Sequence, residues 1–383
     1  MVFVNTFTLT SALGVGLSNM QATLAAAQSG LKPQAWPDCD VPCFLGAVDL
    51  ATAIEVPATR MSRNNQLIAL GLAQDGFSDS VAQAVSRYGA DRVGVVMGTS
   101  TSSIDRTEQA YRAMADAEHF AAEFIQPDTH NPHAPGDFVV TQLGLGGPAL
   151  TVSAACASSA KVFAVAQRWL DQGLVDAVVV GGADSLCLSV IYGFHSLQLV
   201  SPDACRPFSP DRQGISLGEA AGFALLSREP GDIRLAGAGE SCDAYHMSSA
   251  HPDGLGAQLC MQRALAAARL QLQDIDYVNL HGTGTRANDE TEGKVCAGMF
   301  NGNTLFSATK GWTGHTLGAA GIVEAVLCMN AILTDCIPGT MNTREVEPGL
   351  ELLLESTRQP VRYALTNSFG FGGNNCAVIF GQA

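Results

Sequence analysis

Four times the chain runs a short stretch of small or apolar residues directly into a loop of small and polar residues. Ala149-Leu150-Thr151-Val152 leads to Ser153-Ala154-Ala155-Cys156, and Tyr277-Val278-Asn279-Leu280 to His281-Gly282-Thr283-Gly284-Thr285. Ser307-Ala308-Thr309 leads to Lys310 and the Gly314-His315 turn, and Tyr363 to Thr366 to Asn367-Ser368-Phe369-Gly370-Phe371-Gly372-Gly373. Strands without polar alternation, such as Arg92 to Thr99 and Val175 to Val180, must be covered on both faces. Between them lie helix-period segments, among them Ser158 to Gly173, Ala257 to Ala267 and Gly318 to Leu333. Such alternation predicts an α/β protein with parallel strands and helices on both sides. In that class, loops at the carboxyl ends of strands collect ligands, so the four loops are candidates to converge.

The remaining pattern fills in this frame. A strand from Val2 leads to a helix over Ser18 to Ala27, Pro33 to Pro57 reads as surface connection, and Leu67 to Gln74 is helical. Thr101 to Phe124 reads as largely helical. Arg228-Glu229-Pro230-Gly231-Asp232 looks like a seam, dividing the chain into halves 1–228 and 229–383. The halves share a strand-and-helix grammar, but no internal sequence repeat can be demonstrated.

Composition narrows the function. A chain of 383 residues that is 47% hydrophobic can bury an extensive core. Its formal charge of −15 argues against general affinity for nucleic acid or anionic membranes. An acidic protein partner would need a local basic patch, for which Arg60 and Arg63, three residues apart, are candidates. The eleven cysteines are scattered without zinc or disulfide-scaffold spacing and read as reduced thiols. No secretory signal opens the sequence and no apolar stretch approaches bilayer-spanning length, so a cytoplasmic location is expected.

Cys156 falls on a strand-to-helix turn, where free N–H groups and the helix dipole favour a thiolate; small neighbours leave the sulfur approachable. By itself the stretch fits a buried structural cysteine better. His281 and His315 have ordinary structural readings too, and Lys310 could be a solvated lysine. Neither His130 with His133 nor His246 with His251 completes a metal-ligand set, so no metal site is expected. The glycine loops match neither a dinucleotide fingerprint nor a phosphate loop.

The combination resembles the elongating β-ketoacyl-acyl-carrier-protein synthases, thiolase-fold condensing enzymes of fatty acid and polyketide synthesis. The resemblance runs over essentially the whole chain. It rests on Ala155-Cys156-Ala157, His281-Gly282-Thr283-Gly284-Thr285 with Asn288-Asp289 and Glu292, Lys310 with Gly314-His315 and Gly318-Ala319-Ala320-Gly321, and the loop Asn367 to Gly373. It implies two pseudo-equivalent βαβαβαββ halves in α-β-α-β-α layers. It also implies Cys156 as acyl-carrying nucleophile, the N–H groups of Cys156 and Phe371 as oxyanion hole, and His281 and His315 polarising a malonyl thioester for decarboxylation. Lys310 with Glu324 would orient the histidines. Thr283 and Thr285 would bind the phosphopantetheine arm of an acyl carrier protein, and Phe371 would gate against Asp243 and His246. The resemblance brings no cofactor to the enzyme itself and implies a dimer, with itself or with a chain-length-factor-like homologue. Arg60 and Arg63 are then the expected carrier-docking residues.

Two departures stand in the loops: Arg286 where the family commonly has proline, and Asn374 where it commonly has threonine. The first half is also short between Gly98 and Gly146. The wording around Arg63-Asn64-Asn65-Gln66, Asn131-Pro132-His133 and Gly218 to Ala221 is similar to ketosynthases of bacterial aryl-polyene clusters. A thiolase, a CoA-using initiating synthase and a non-catalytic chain-length partner are the alternatives. Thiolases resemble a pattern with a second cysteine near the last glycine loop, initiating enzymes pair cysteine with His and Asn, and chain-length partners lack the nucleophile.

Overall fold

The computed structural model describes residues 1–51, 54–114, 119–300 and 302–383. Two five-stranded mixed sheets carry the fold. In the first, Val2–Ser11 is followed across the sheet by Ala220–Ser227, Ala177–Asp184, Val93–Gly98 and Ala149–Val152. In the second, Ile233–Cys242 is followed by Asn374–Gln382, Tyr363–Gly370, Tyr277–Leu280 and Leu305–Ala308. Numbered by position along its own half, each sheet has the order 1-5-4-2-3. The directions agree as well: strands 1, 5 and 4 pair antiparallel, and 4, 2 and 3 parallel. The repeat invisible in the sequence is therefore present in the topology. The sheets meet where Val2, Phe3 and Val4 pair antiparallel with Leu235, Arg234 and Ile233.

Burial explains the layering. Val93, Val95 and Met97 alternate out to a core shared with Leu67, Phe77, Val81 and Phe138, whereas Val96, Val178 and Val180 face the opposite core. That central core lies between the sheets around two helices, Ser158–Asp171 and Ala320–Thr334. The outer face of the second sheet is covered by Leu255–Ala268 and Arg286–Met299, through Cys260, Met261, Val295 and Cys296. Helix, sheet, helix, sheet and helix thus form five layers, and the α/β thiolase-type class expected from the resemblance holds.

Glycines set how close the central helices come. A Cβ on Gly98 would lie 2.5 Å from the Cα and N of Ser159, and one on Gly321 2.4 Å from Ala160 N. The helix starting at Ser158 therefore sits against both its own sheet and its counterpart helix.

Three expectations are corrected. Leu317–Thr334 does reach bilayer-spanning length and hydropathy, but 89% of it is buried, because it is the central-layer helix. The helix expected over Thr101 to Phe124 spans Ile104–Arg112, followed by a single turn at Ala122–Phe124; residues 115–118 lie outside the described part. Only Ala110 of that helix is buried, so little packing extends it. Within Pro33 to Pro57, of which residues 52 and 53 are likewise outside the description, Val41, Cys43 and Leu45 are buried under the helix Leu188–Ser196.

Candidate active site

Third strands of the two halves end at the chemistry. Ala149–Val152 leads into a turn in which Ala155 has φ +48°, and the helix begins at Ser158. Ser158 braces this turn: its hydroxyl donates to Ala155 O at 2.6 Å and accepts from Ala154 N–H at 2.8 Å. Cys156 is thereby presented at the helix N-terminus, 7% exposed. In the other half, Leu305–Ala308 leads to Lys310 and His315 before its own central helix.

These strand ends converge. His315 Nε2 lies 3.1 Å from Cys156 Sγ, and the Phe371 backbone N–H is directed at the same sulfur. The rings of His281 and His315 stand edge to face with centroids 5.5 Å apart. Lys310 Nζ, 1% exposed, contacts the Glu324 carboxylate and the His281 carbonyl oxygen, and lies 3.2 Å from His281 Nδ1. The five residues Cys156, His281, His315, Lys310 and Glu324 form one buried cluster.

Hydrogen bonding fixes both imidazole tautomers. His315 Nδ1 accepts from Leu317 N–H at 3.1 Å, so the neutral ring carries its proton on Nε2, facing Cys156. His281 Nδ1 faces the Lys310 ammonium, which has only donors to offer, and the same tautomer results. Burial holds His281 well below the ordinary histidine range, helped by the charges of Lys310 and His315. Burial and then Lys310 do the same to His315. Both rings are neutral N–H donors near pH 7.

The nucleophile differs from expectation. Burial pushes the Cys156 thiol up to about 11, against the opposing Lys310 charge and Phe371 N–H. Desolvation outweighs the thiolate-favouring turn, and the resting group is a thiol. Burial likewise raises Glu324 to about 7, opposed by Lys310. Cys156 Sγ and a ring nitrogen of each histidine lie within 4.8 Å of one another, a spacing that could hold a metal. The donors do not fit one, because a protonated Nε2 has no lone pair to give and Lys310 sets a cation beside His281.

Several residues that support the site had no assigned role in the sequence. Glu292 accepts the N–H groups of His281 and Gly282, each at 2.8 Å, and burial raises its carboxyl to about 7. Asp184, fully buried at the end of a fourth strand, accepts N–H groups of Ser100 and Thr101, and that of Gly318 across the halves at 2.6 Å. Arg212, 1% exposed, pairs with Asp289 at 3.7 Å and Glu347 at 2.8 Å and donates to the carbonyl oxygens of Thr285 and Arg286. A carboxylate at a strand end was the available signal for Asp184.

A cavity of about 500 Å³ opens from Cys156, His281 and His315 past Thr283, Thr285, Phe194 and Phe371 to the surface. Thr283 and Thr285 hydroxyls bond each other at 2.9 Å, and Phe371 lies 6.0 Å from Phe194 between ring centroids. Asp243 N–H donates to Gly373 O, which brings its loop to the Phe371 turn. His246 is exposed and bonded within its own loop, to Ser248 N–H.

Both residues of the expected docking pair have partners within the chain. Arg63 gives Nε and Nη2 to the fully buried Glu219, at 2.7 and 2.5 Å, and stacks on Trp36 at 4.8 Å. It completes the core rather than offering a free charge. Arg60 bonds Thr141 Oγ1 at 2.9 Å and Asp137 O, tying down the helix Ala134–Leu143.

Comparison with known proteins agrees with this geometry. Residues 44–230 match the β-ketoacyl synthase N-terminal domain and 233–344 the C-terminal domain. The chain belongs to the β-ketoacyl synthase family, condensing acyltransferases. It is 36% identical to nodulation protein E of Rhizobium sp. (strain N33) over 308 residues, 76% of each chain. With 3-oxoacyl-[acyl-carrier-protein] synthase 2 of Vibrio cholerae it shares 34% over 320 residues, 77% of each. Among solved structures, the complex of ketosynthase ApeO with its chain length factor ApeC from Xenorhabdus doucetiae matches with TM-score 0.91 and 38% identity, covering 100% of this chain and 98% of that one.

Proposed function

We propose that this ketosynthase extends an acyl chain by decarboxylative Claisen condensation with malonyl-carrier protein. The observation that carries the reading is the Cys156 sulfur held between His315 Nε2 at 3.1 Å and the Phe371 N–H, with a second neutral histidine beside them. In the first half-reaction, Cys156 sulfur bonds to the acyl carbon of a carrier thioester. The carrier sulfur leaves and takes the thiol proton, while the N–H groups of Cys156 and Phe371 stabilise the oxyanion. In the second, the Nε2–H groups of His281 and His315 donate to the malonyl thioester oxygen as CO₂ departs. The enolate carbon bonds to the acyl carbon, the acyl–sulfur bond breaks, and the departing Cys156 sulfur takes a proton from solvent to return as the thiol.

Neutral donors suit this step because they stabilise developing charge in a dry site without reorganising. Lys310 and Glu324 act as positioning residues behind His281. Thr283 and Thr285 take the amides of the pantetheine arm, and Phe371 gates the cavity with the Asp243 loop; His246, on the surface, is the outermost part of that gate. No cofactor is required of the enzyme itself.

The similarity to the ApeO–ApeC complex favours the aryl-polyene type and a chain-length-factor-like partner over a self-sufficient synthase. Ala149–Val152 is an edge strand with Leu150 37% exposed, which suits pairing with a second such chain. A purely structural role for this chain is disfavoured by the intact nucleophile and both histidines. Intact-mass measurement after incubation with a panel of acyl-carrier proteins tests the proposal. Wild type should gain one acyl group at Cys156, and Cys156→Ala none. Condensation by Cys156→Ala at the wild-type rate would sink the mechanism.

A further inference from the structure

The cavity above Cys156 is walled on one side by the loop from His281 to Arg286, and exposure rises along it. His281 is 2% exposed, Thr283 7%, Thr285 partly exposed and Arg286 exposed. One loop thus runs from the floor of the cavity to its rim, and all four side chains line it.

Two arginines line this cavity, and they differ in what they have left to give. Arg212 is buried against Asp289 at 3.7 Å, Glu290 at 3.6 Å and Glu347 at 2.8 Å, and also donates to Ser209 O at 2.8 Å. Its charge is consumed in holding the loop. Arg286 makes no side-chain hydrogen bond or ion pair among the described residues within ordinary distance. Glu290, one turn further along the helix Arg286–Met299 and the natural partner by spacing, is turned to Arg212 instead. Carboxylates are abundant in a chain of net charge −15, yet among the described residues none pairs with this guanidinium.

We infer that Arg286 binds the phosphate of the phosphopantetheine arm and thereby selects phosphorylated over unphosphorylated thioester donors. This rests on the ketosynthase reading above. The arm has thioester, amides and phosphate in that order, and the wall offers Cys156 with the histidines, then Thr283 and Thr285, then a guanidinium. Arginine presents a fork of donors matched to phosphate oxygens, so the contact is a charge-assisted hydrogen bond rather than a diffuse attraction. Its rim position makes it a specificity contact, reporting in the affinity for donor rather than in the chemical step.

The test compares two small donors that differ only in phosphate, acyl-4′-phosphopantetheine and acyl-pantetheine, with Cys156 acylation followed by intact mass. Wild type should show a KM about tenfold lower for the phosphorylated donor at low salt, the lower end of what a hydrogen bond to a charged group supplies. The gap should narrow as salt is raised. In Arg286→Ala the gap should close, and in Arg286→Lys part of it should return. Equal KM values for both donors in wild type, or an undiminished gap in Arg286→Ala, would overturn the inference. An Arg286→Ala defect seen with whole acyl-carrier protein but not with free phosphopantetheine donors would overturn it too, by placing the contact on the carrier surface. If neither small donor nor acyl-carrier protein acylates wild-type Cys156, the ketosynthase reading itself fails, and this inference with it.

Discussion

Replacing Lys310 by methionine removes the charge of a fully buried residue while keeping most of its volume, and its effect should depend on pH in a defined way. Glu324 has a folded value of about 7 against 4.5 when solvated, with burial as the first cause and Lys310 opposing it. A carboxyl raised on folding binds a proton in the native state that the unfolded chain releases. Wild-type stability therefore falls as pH rises from about 4.5, by about 1.4 kcal/mol per unit, and this contribution levels off above about 7. In Lys310→Met the burial of Glu324 is unopposed, its folded value moves above 7, and the decline continues. The difference between variant and wild type should open above pH 7 by up to about 1.4 kcal/mol per unit, reaching about 3 kcal/mol at pH 9 on top of any pH-independent loss of contacts. Glu292, which also feels Lys310, adds in the same direction. Urea unfolding at pH 6, 7, 8 and 9 and constant protein concentration measures it. Parallel stability curves for the two proteins over this range would refute the coupling of Lys310 to the buried carboxyls.

Two further outcomes follow from the site. The Cys156 thiol at about 11 should be alkylated slowly by iodoacetamide at pH 7, with a rate still rising past pH 9; a rate plateau below pH 7 would mean that the helix N-terminus outweighs burial. Gly98→Ala should push against the Ser159 backbone, where a Cβ would lie 2.5 Å from Cα. A cost of about 1–3 kcal/mol in unfolding and an acylation rate lowered on the order of 100-fold are expected, since the start of the helix carries Cys156. Wild-type stability and rate in that variant would show that the helix yields freely.

What could be read without coordinates was what the backbone encodes locally. The strands from Val93 and Ala177 carry no polar alternation before their ends because both their faces are covered, and that signal survives in sequence. The loops at Cys156, His281, Lys310 and Phe371 could be placed at strand ends for the same reason. Properties set by partners distant in sequence could not. Arg63 reads as half of a basic patch until Glu219, 156 residues away, takes its guanidinium. Cys156 reads as a thiolate at a helix N-terminus until the depth of burial is known. The helix after Thr101 reads as long because Ala, Glu and Gln favour helix, yet propensity extends a helix only where something packs against it.

The doubled 1-5-4-2-3 topology gives a reason why the chemistry gathers at one seam. Equivalent strands should end at equivalent places, and they do: third strands lead to Cys156 in one half and to Lys310 and His315 in the other, each followed by a central helix. Second strands lead to Thr99-Ser100-Thr101 and to His281, and fourth strands to Asp184 and Phe371. The equivalence is in position but not in task. In the first half the second and fourth ends meet each other, with Asp184 accepting from Ser100 and Thr101, and reach across to Gly318 beside the His315 turn. In the second half the corresponding ends face the cavity with an imidazole and the Phe371 N–H directed at Cys156. In the first half these two strand ends have become the brace that fixes the His315 loop, and in the second they have become part of the reacting surface. The close approach at Gly321 and Ala160 then sets the sulfur-to-imidazole distance, because it fixes how near the two third-strand helices can lie.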